Sequence, residues 1–125
     1  MWRTFLLSKL HNATLTGVHL DYSGSIAIDQ DLLTQAGILP YEQVQVANIT
    51  NGQRLTTYVI AAPAGSGQVE LNGAAAHCGQ VGDRLIIMSY GLLSREEWQH
   101  HTPKVLILDA HNRIKESRSE RPIQQ

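Results

Sequence analysis

Gly24-Ser25 sits at the centre of "HLDYSGSIAIDQDLL" (His19 to Leu33), where a strand-like segment gives way to a helix-like one. A Ser-Gly-Ser run is most often a plain turn. It is also a place where a chain can break, because a serine hydroxyl can attack the carbonyl of the residue before it and convert an amide into an ester. Glycine at that position removes Cβ and leaves the carbonyl less hindered, on a backbone expected to be strained. Downstream, strand periodicity in "RLTTYVI" puts Arg54, Thr56 and Tyr58 on one face and Thr57 on the other. A guanidinium grips a carboxylate in a bidentate way, and a phenol can deliver a proton. Taken singly, a solvated strand arginine and a packing tyrosine are the plainer readings. "NGAAAHCG" gathers small residues that let backbone approach a neighbour, or a small ligand held by N–H groups.

Other chemistries fit the residues less well. Six histidines and Cys78 invite a metal, but His77-Cys78 and His100-His101 are adjacent pairs, and neighbours on a strand face opposite ways. No C-x-x-C or H-x-x-x-H spacing occurs, so no metal site is expected. Ala64-Gly65-Ser66-Gly67 lacks the spacing of a G-x-S-x-G elbow and reads as a hairpin turn. "NGAAAHCG" lacks the lysine and spacing of a phosphate-binding loop.

The elements that must hold these residues are short. At 125 residues the chain is of single-domain size and can bury a core without disulfides or metal; its one cysteine allows no internal disulfide and fits a reducing cytoplasm. Ten Lys and Arg against eleven Asp and Glu argue against nucleic acid or an anionic membrane as the main partner. No secretory leader or membrane-length apolar run is visible, and the sequons at Asn12 and Asn48 read as chance matches. Segments 3–10, 13–20, 42–49, 53–62, 68–72, 84–90 and 104–109 read as strands. Asn51-Gly52 signals a type I′ hairpin between the third and fourth. "IDQDLLTQAGIL" reads as a helix with Asp29 as N-cap, Leu32, Leu33 and Ala36 as its apolar face and Gly37 as its stop. Ser94 to Glu97 reads as a capping box opening a short helix through Trp98. The polar tail from Lys115 is expected to fray. The whole points to a mainly β domain, closed as a barrel, with short helices.

Read together and in order, "RTFLLSKLH", "YSGSIAIDQDLL", "TNGQRLTTYVIAA" and "LNGAAAHCGQVGDRLIIMSY" resemble the pyruvoyl-dependent aspartate 1-decarboxylases of pantothenate synthesis, from Met1 to about Asp109. The resemblance implies a six-stranded double-psi β-barrel. It implies one domain over 1–125, self-cleaved between Gly24 and Ser25 into a β chain, 1–24, and an α chain, 25–125, of 101 residues (125 − 24 = 101). After the ester forms, elimination across Ser25 leaves a dehydroalanine whose hydrolysis releases ammonia, and a pyruvoyl group remains at the new N-terminus. That group, with no PLP and no metal, forms a Schiff base with L-aspartate and takes up electrons as carbon dioxide leaves, giving β-alanine. By position in the motifs, Tyr58 is the implied proton donor. Lys9, Arg54, Thr57, Asn72, Gly73, Ala74 and Ala75 contact substrate, and Tyr22 lines the pocket. The resemblance also implies a homotetramer with sites between neighbouring subunits. For Thr57 and Tyr58 to serve one site within a chain, the strand must be bulged or lie at an edge. The rival reading is a β-barrel that binds or assembles without catalysis, with Gly24-Ser25 a mere turn.

Overall fold

The computed structural model describes residues 1–119, as nine strands, two short α-helices and one 3-10 helix. The chain opens with β1 (Trp2–Thr14), 13 residues interrupted by two register shifts, the second at Asn12, which has a positive φ. Only Leu15 and Thr16 separate it from β2 (Gly17–His19). After the loop carrying Gly24 come β3 (Ser25–Asp29), α1 (Gln30–Ala36), β4 (Gln43–Asn48) and β5 (Arg54–Ala62). Then follow β6 (Val69–Asn72), the 3-10 helix Gly73–Cys78, β7 (Arg84–Ser94), α2 (Arg95–Trp98), β8 (Lys104–Leu108) and β9 (Ile114–Ser119).

The strands form one sheet in the order β2-β6-β3-β5-β4-β7-β1-β8-β9. Three neighbours are parallel: β1 with β8, β2 with β6, and β3 with β5. The sheet is drawn round on itself because β1 continues almost directly into β2, which belongs to the far edge. Where the chain crosses, Thr16 N donates to Val69 O at 2.8 Å and Val69 N donates to the Thr16 hydroxyl at 3.0 Å. Buried Asn112 fastens the same seam, its amide donating to Thr14 O and Gly67 O at 2.9 and 2.8 Å. Inside lie Leu10, Ile26, Ile28, Leu33, Val44, Val46, Leu71, Leu85, Ile87 and Leu106, all essentially without solvent contact.

The mainly β class is as expected, with nine strands rather than six. Two of these were not legible as strands. β3 is buried at all five positions, so it shows no alternation, and it runs straight into a helix cap. β9 belongs to the tail expected to fray; residues 116–119 instead pair antiparallel with β8, and residues 120–125 lie outside the described residues. The α1 caps are as read: Asp29 accepts from Asp31 N, and Gly37 closes the helix at φ 72°. The α2 capping box is complete, Ser94 and Glu97 each accepting from the other's backbone N–H. The β4–β5 hairpin forms, but not through a type I′ turn. Gly52 has φ 78° while Asn51 is not in the left-handed region, and the buried Asn48 side chain gathers Thr50 N and Asn51 N instead. The Gly65–Gly67 turn joins β5 to β6 without making a hairpin, because β3 lies between them.

Candidate active site

The two faces of β5 define two groups of residues. Leu55 and Thr57 turn towards the interior, whereas Arg54, Thr56 and Tyr58 are exposed on the outside. β5 pairs with β4 without a register shift from Arg54 to Tyr58, so no bulge brings Thr57 and Tyr58 to one face.

The inner group surrounds Gly24-Ser25. Gly24 is exposed and Ser25 is only 2% exposed, so the peptide between them marks the point where a solvated loop enters a buried strand. Asp29 holds the other end of β3, its buried carboxylate accepting from Asp31 N, Gly65 N and Gly67 N at 2.8, 3.0 and 2.8 Å. Ser25 faces Asn72 across the β3–β6 pair. Asn72 Nδ2 donates to Ser25 Oγ at 3.0 Å, and that hydroxyl lies 3.4 Å from Ser23 O. The other amide atom, Asn72 Oδ1, is buried and meets no donor among the described residues. Beside it Gly73 has φ 64°, and a Cβ placed there would stand 2.6 Å from Tyr22 O and 2.7 Å from Gly24 N. Only glycine allows that approach. A cavity of about 320 Å³ opens next to this point, lined by Gly24, Leu55, Thr56, Thr57, Ala74, Ala75 and Cys78. The structure thus gathers Gly24, Ser25, Thr57, Asn72, Gly73, Ala74 and Ala75, and brings the backbone of Tyr22 against them. The Tyr22 ring is exposed and stacks on His19 rather than lining this cavity. Gly24 itself is unstrained: its φ is not positive and a Cβ would meet nothing within 4 Å. The position that requires glycine is instead Gly73, one strand away.

The outer group lies across β5, β4, β7 and β1. The register aligns Arg54, Ala47, Ile86 and His11 in one row, and Thr56, Gln45, Met88 and Lys9 in the next. Tyr58 faces Gln43 in the row beyond and stacks on Tyr41 with ring centroids 6.2 Å apart. Three strand spacings and one row, about 16 Å at the backbone, separate Arg54 from Lys9. Neither cation has a carboxylate partner among the described residues. Burial, then the charges of Lys9 and Arg118, hold the His11 imidazole below its ordinary value. His11 was missed in the sequence, although its place two residues after Lys9 puts it on the same face of β1. Cys78 and Leu55 as cavity walls were also missed, since only the three-dimensional course of the 3-10 helix brings them there. That helix spans the run of small residues through His77-Cys78. Among the described residues no three His, Cys, Asp or Glu side chains converge.

The aspartate decarboxylase family profile matches residues 1–115. The chain belongs to the aspartate decarboxylase family. An aspartate 1-decarboxylase of Trichormus variabilis is 60% identical over 118 residues, covering 94% of this chain and 93% of its own. That of Acaryochloris marina is 60% identical over 114 residues, covering 91% and 87%, and that of Thioalkalivibrio sulfidiphilus 55% over 124, covering 99% and 98%. Among solved structures, a rationally designed protein, mkDPBB_sym_86, matches 63% of this chain and 91% of its own at TM-score 0.46 and 16% identity, too distant to bear on the site.

The inner group fits the pyruvoyl group that aspartate decarboxylase resemblance implies at position 25. Ser25 already has an amide donor on its Oγ, a buried acceptor without a donor among the described residues stands beside it, and a cavity of about 320 Å³ opens next to Gly24.

Proposed function

We propose that the chain converts L-aspartate to β-alanine and carbon dioxide with a pyruvoyl group made from its own Ser25, in the cytoplasm, as a step of pantothenate synthesis. The observation that carries this is the Ser25–Asn72–Gly73 cluster, in which a buried hydroxyl is held by an amide at the mouth of a strand and the preceding peptide is packed on a glycine. The fold does not need glycine at 24, where a side chain would find open space. Its value is therefore sought in chemistry: attack by Ser25 Oγ on the Gly24 carbonyl, transfer of the acyl group from nitrogen to oxygen, elimination and hydrolysis. The balance is one water gained and one ammonia lost, and residues 1–24 end on a new carboxylate.

Once present, the group supplies an electron sink for the decarboxylation. The chain's own residues do the rest. Asn72, through its free Oδ1, and the Gly73 to Ala75 backbone position the substrate in the 320 Å³ cavity. Thr57 points into that cavity from β5. Arg54 and Lys9, cations without carboxylate partners among the described residues, hold the two carboxylates of aspartate. Tyr58 gives the proton to the new carbon. Since the cations and Tyr58 lie on the outside of the sheet and the cavity opens on the other side of β5, the full set assembles when one copy's outer face covers another's cavity, as in a homotetramer.

The test is incubation of purified protein with L-aspartate, following β-alanine, together with intact mass. Production of β-alanine by protein carrying the 25–125 fragment supports the reading; uncut, inactive protein overturns it in favour of a binding module. Mixing chains carrying Ser25→Ala with chains carrying Tyr58→Phe, by co-expression, tests the shared site. Recovery of roughly a quarter of the wild-type sites is expected, because half of the cavities and half of the faces are intact. No recovery places both groups in one chain.

A further inference from the structure

Beyond the inner group, a second cluster touches the Gly24 loop and has no part in the chemistry so far. His19, at the end of β2, lies level with Asn72 of β6, and Asn72 lies level with Ser25 of β3. The three form one row across the sheet. Glu70, two residues before Asn72, pairs in register with Gly17. Its carboxylate lies over Gly17 where a Cβ would stand, so Gly17 leaves it a path along β2. It ends 3.3 Å from His19 Nε2. The His19 ring in turn stacks on the Tyr22 ring, with centroids 5.0 Å apart and planes at 24°. Tyr22 N donates to His19 O at 3.4 Å, and Tyr22 O is the atom nearest to where a Gly73 Cβ would be.

We propose that His19 and Glu70 are positioning residues for self-cleavage: Glu70 fixes the His19 ring, His19 holds Tyr22 by stacking, and the Tyr22-Ser23-Gly24 backbone is thereby pressed onto Gly73 with its last carbonyl beside Ser25. This rests on the cleavage reading above. The loop has few other restraints. Leu20 to Gly24 are all exposed, and no side chain of theirs makes a hydrogen bond within the described residues. A loop so lightly held samples many backbone arrangements, whereas attack on its carbonyl requires one, and losing that orientation slows an intramolecular reaction steeply. The His19–Glu70 contact is partly open to solvent, so its effect falls on orientation rather than on overall stability.

The experiment follows freshly purified 125-residue precursor by intact mass, so that the rate of appearance of the 25–125 fragment is read apart from turnover. His19→Ala and Glu70→Ala are each expected to slow conversion roughly 10- to 100-fold. The thermal midpoint of the precursor is expected to stay close to wild type. His19→Phe, which keeps a ring to stack on but loses the Glu70 contact, should convert no faster than Glu70→Ala. Protein that has been converted should show wild-type kcat and KM for aspartate per mole of N-terminal carbonyl. Conversion of both alanine variants at the wild-type rate overturns the inference alone. A fall in kcat per carbonyl matching the fall in conversion moves the two residues into the substrate site and also overturns it. A wild-type chain that stays whole removes the cleavage reading, and the inference with it.

Discussion

The Gly24–Ser25 cradle and the outer face carrying Lys9, Arg54 and Tyr58 are built on opposite principles. In the cradle the polar side chains are buried, and the approach of one segment to another is set by a glycine that admits no substitute. Ser25, Asn72 and Gly73, which meet there, come from one chain. The outer face is open: Arg54 and Tyr58 are exposed, the cations have no carboxylate partners among the described residues, and the rows between them contain the half-buried Ala47, Ile86 and Met88. One strand, β5, feeds both regions through its two-residue period. An intramolecular bond rearrangement needs its reacting groups held in one orientation, which a single fold can supply. A cation left without a counter-charge is tolerable only where water reaches it.

The largest contrast comes from substituting within the cradle. Ser25→Ala removes the nucleophile and the source of the ketone carbon. It is expected to abolish both the 25–125 fragment and β-alanine formation while leaving the fold in place, as read by intact mass and circular dichroism. A cleaved Ser25→Ala chain would mean that another residue attacks. On the outer face, Tyr58→Phe keeps the ring stacked on Tyr41 and deletes only the hydroxyl. Cleavage should proceed, and turnover of processed protein should fall by about 10²–10⁴. Near-normal turnover would return Tyr58 to a packing role and assign the proton to water.

Arg54→Ala is expected to spare cleavage too, and to weaken the use of aspartate by about 1.5–3 kcal/mol, or roughly 10–100-fold in kcat/KM. Cleavage that fails along with binding would show that the two regions are not separable. The smallest effect concerns His11. Its folded pKa lies below 6.5, so the unfolded chain takes up a proton first as pH falls. The contribution is complete above pH 6.5 and is lost as pH drops from there towards the folded value. The thermal midpoint should therefore fall on acidification from about pH 7.5 to 5.5, and His11→Gln should flatten that slope. Asn72→Ala, in the cradle, should not.

What could be read from the sequence divides along the range of the interactions. The α1 helix was legible to the residue because Asp29 and Gly37 act on backbone groups a few positions away. So was the α2 capping box. The Asn51-Gly52 signal gave the hairpin but the wrong turn, because Asn48, buried beneath it, takes over the loop's N–H groups. β3 was hidden by its complete burial, and the parallel pairings by the distance along the chain between partners. In the site, two-residue periodicity already separated Thr57 from Arg54 and Tyr58. The meeting of Ser25 with Asn72 depends on an antiparallel register between residues 47 positions apart, which no local pattern encodes. His19 and Glu70 carried no motif at all; their pairing comes from β2 running parallel to β6.

The position of β1 has a consequence for the life of the molecule. It lies between β7 and β8, contributes Leu10 and Ala13 to the core, and belongs wholly to residues 1–24. Cutting the chain after Gly24 therefore turns a unimolecular folding problem into a bimolecular one. The two pieces remain together as long as the barrel is intact, but once separated they must find each other, at a rate set by their concentration. A short strand-forming peptide and a 101-residue partner with an open seam (125 − 24 = 101) must reassemble in competition with aggregation of their exposed edges. Denaturation that the precursor survives should be close to irreversible for the cut form, and the persistence of the mature protein is then a matter of how slowly it first opens.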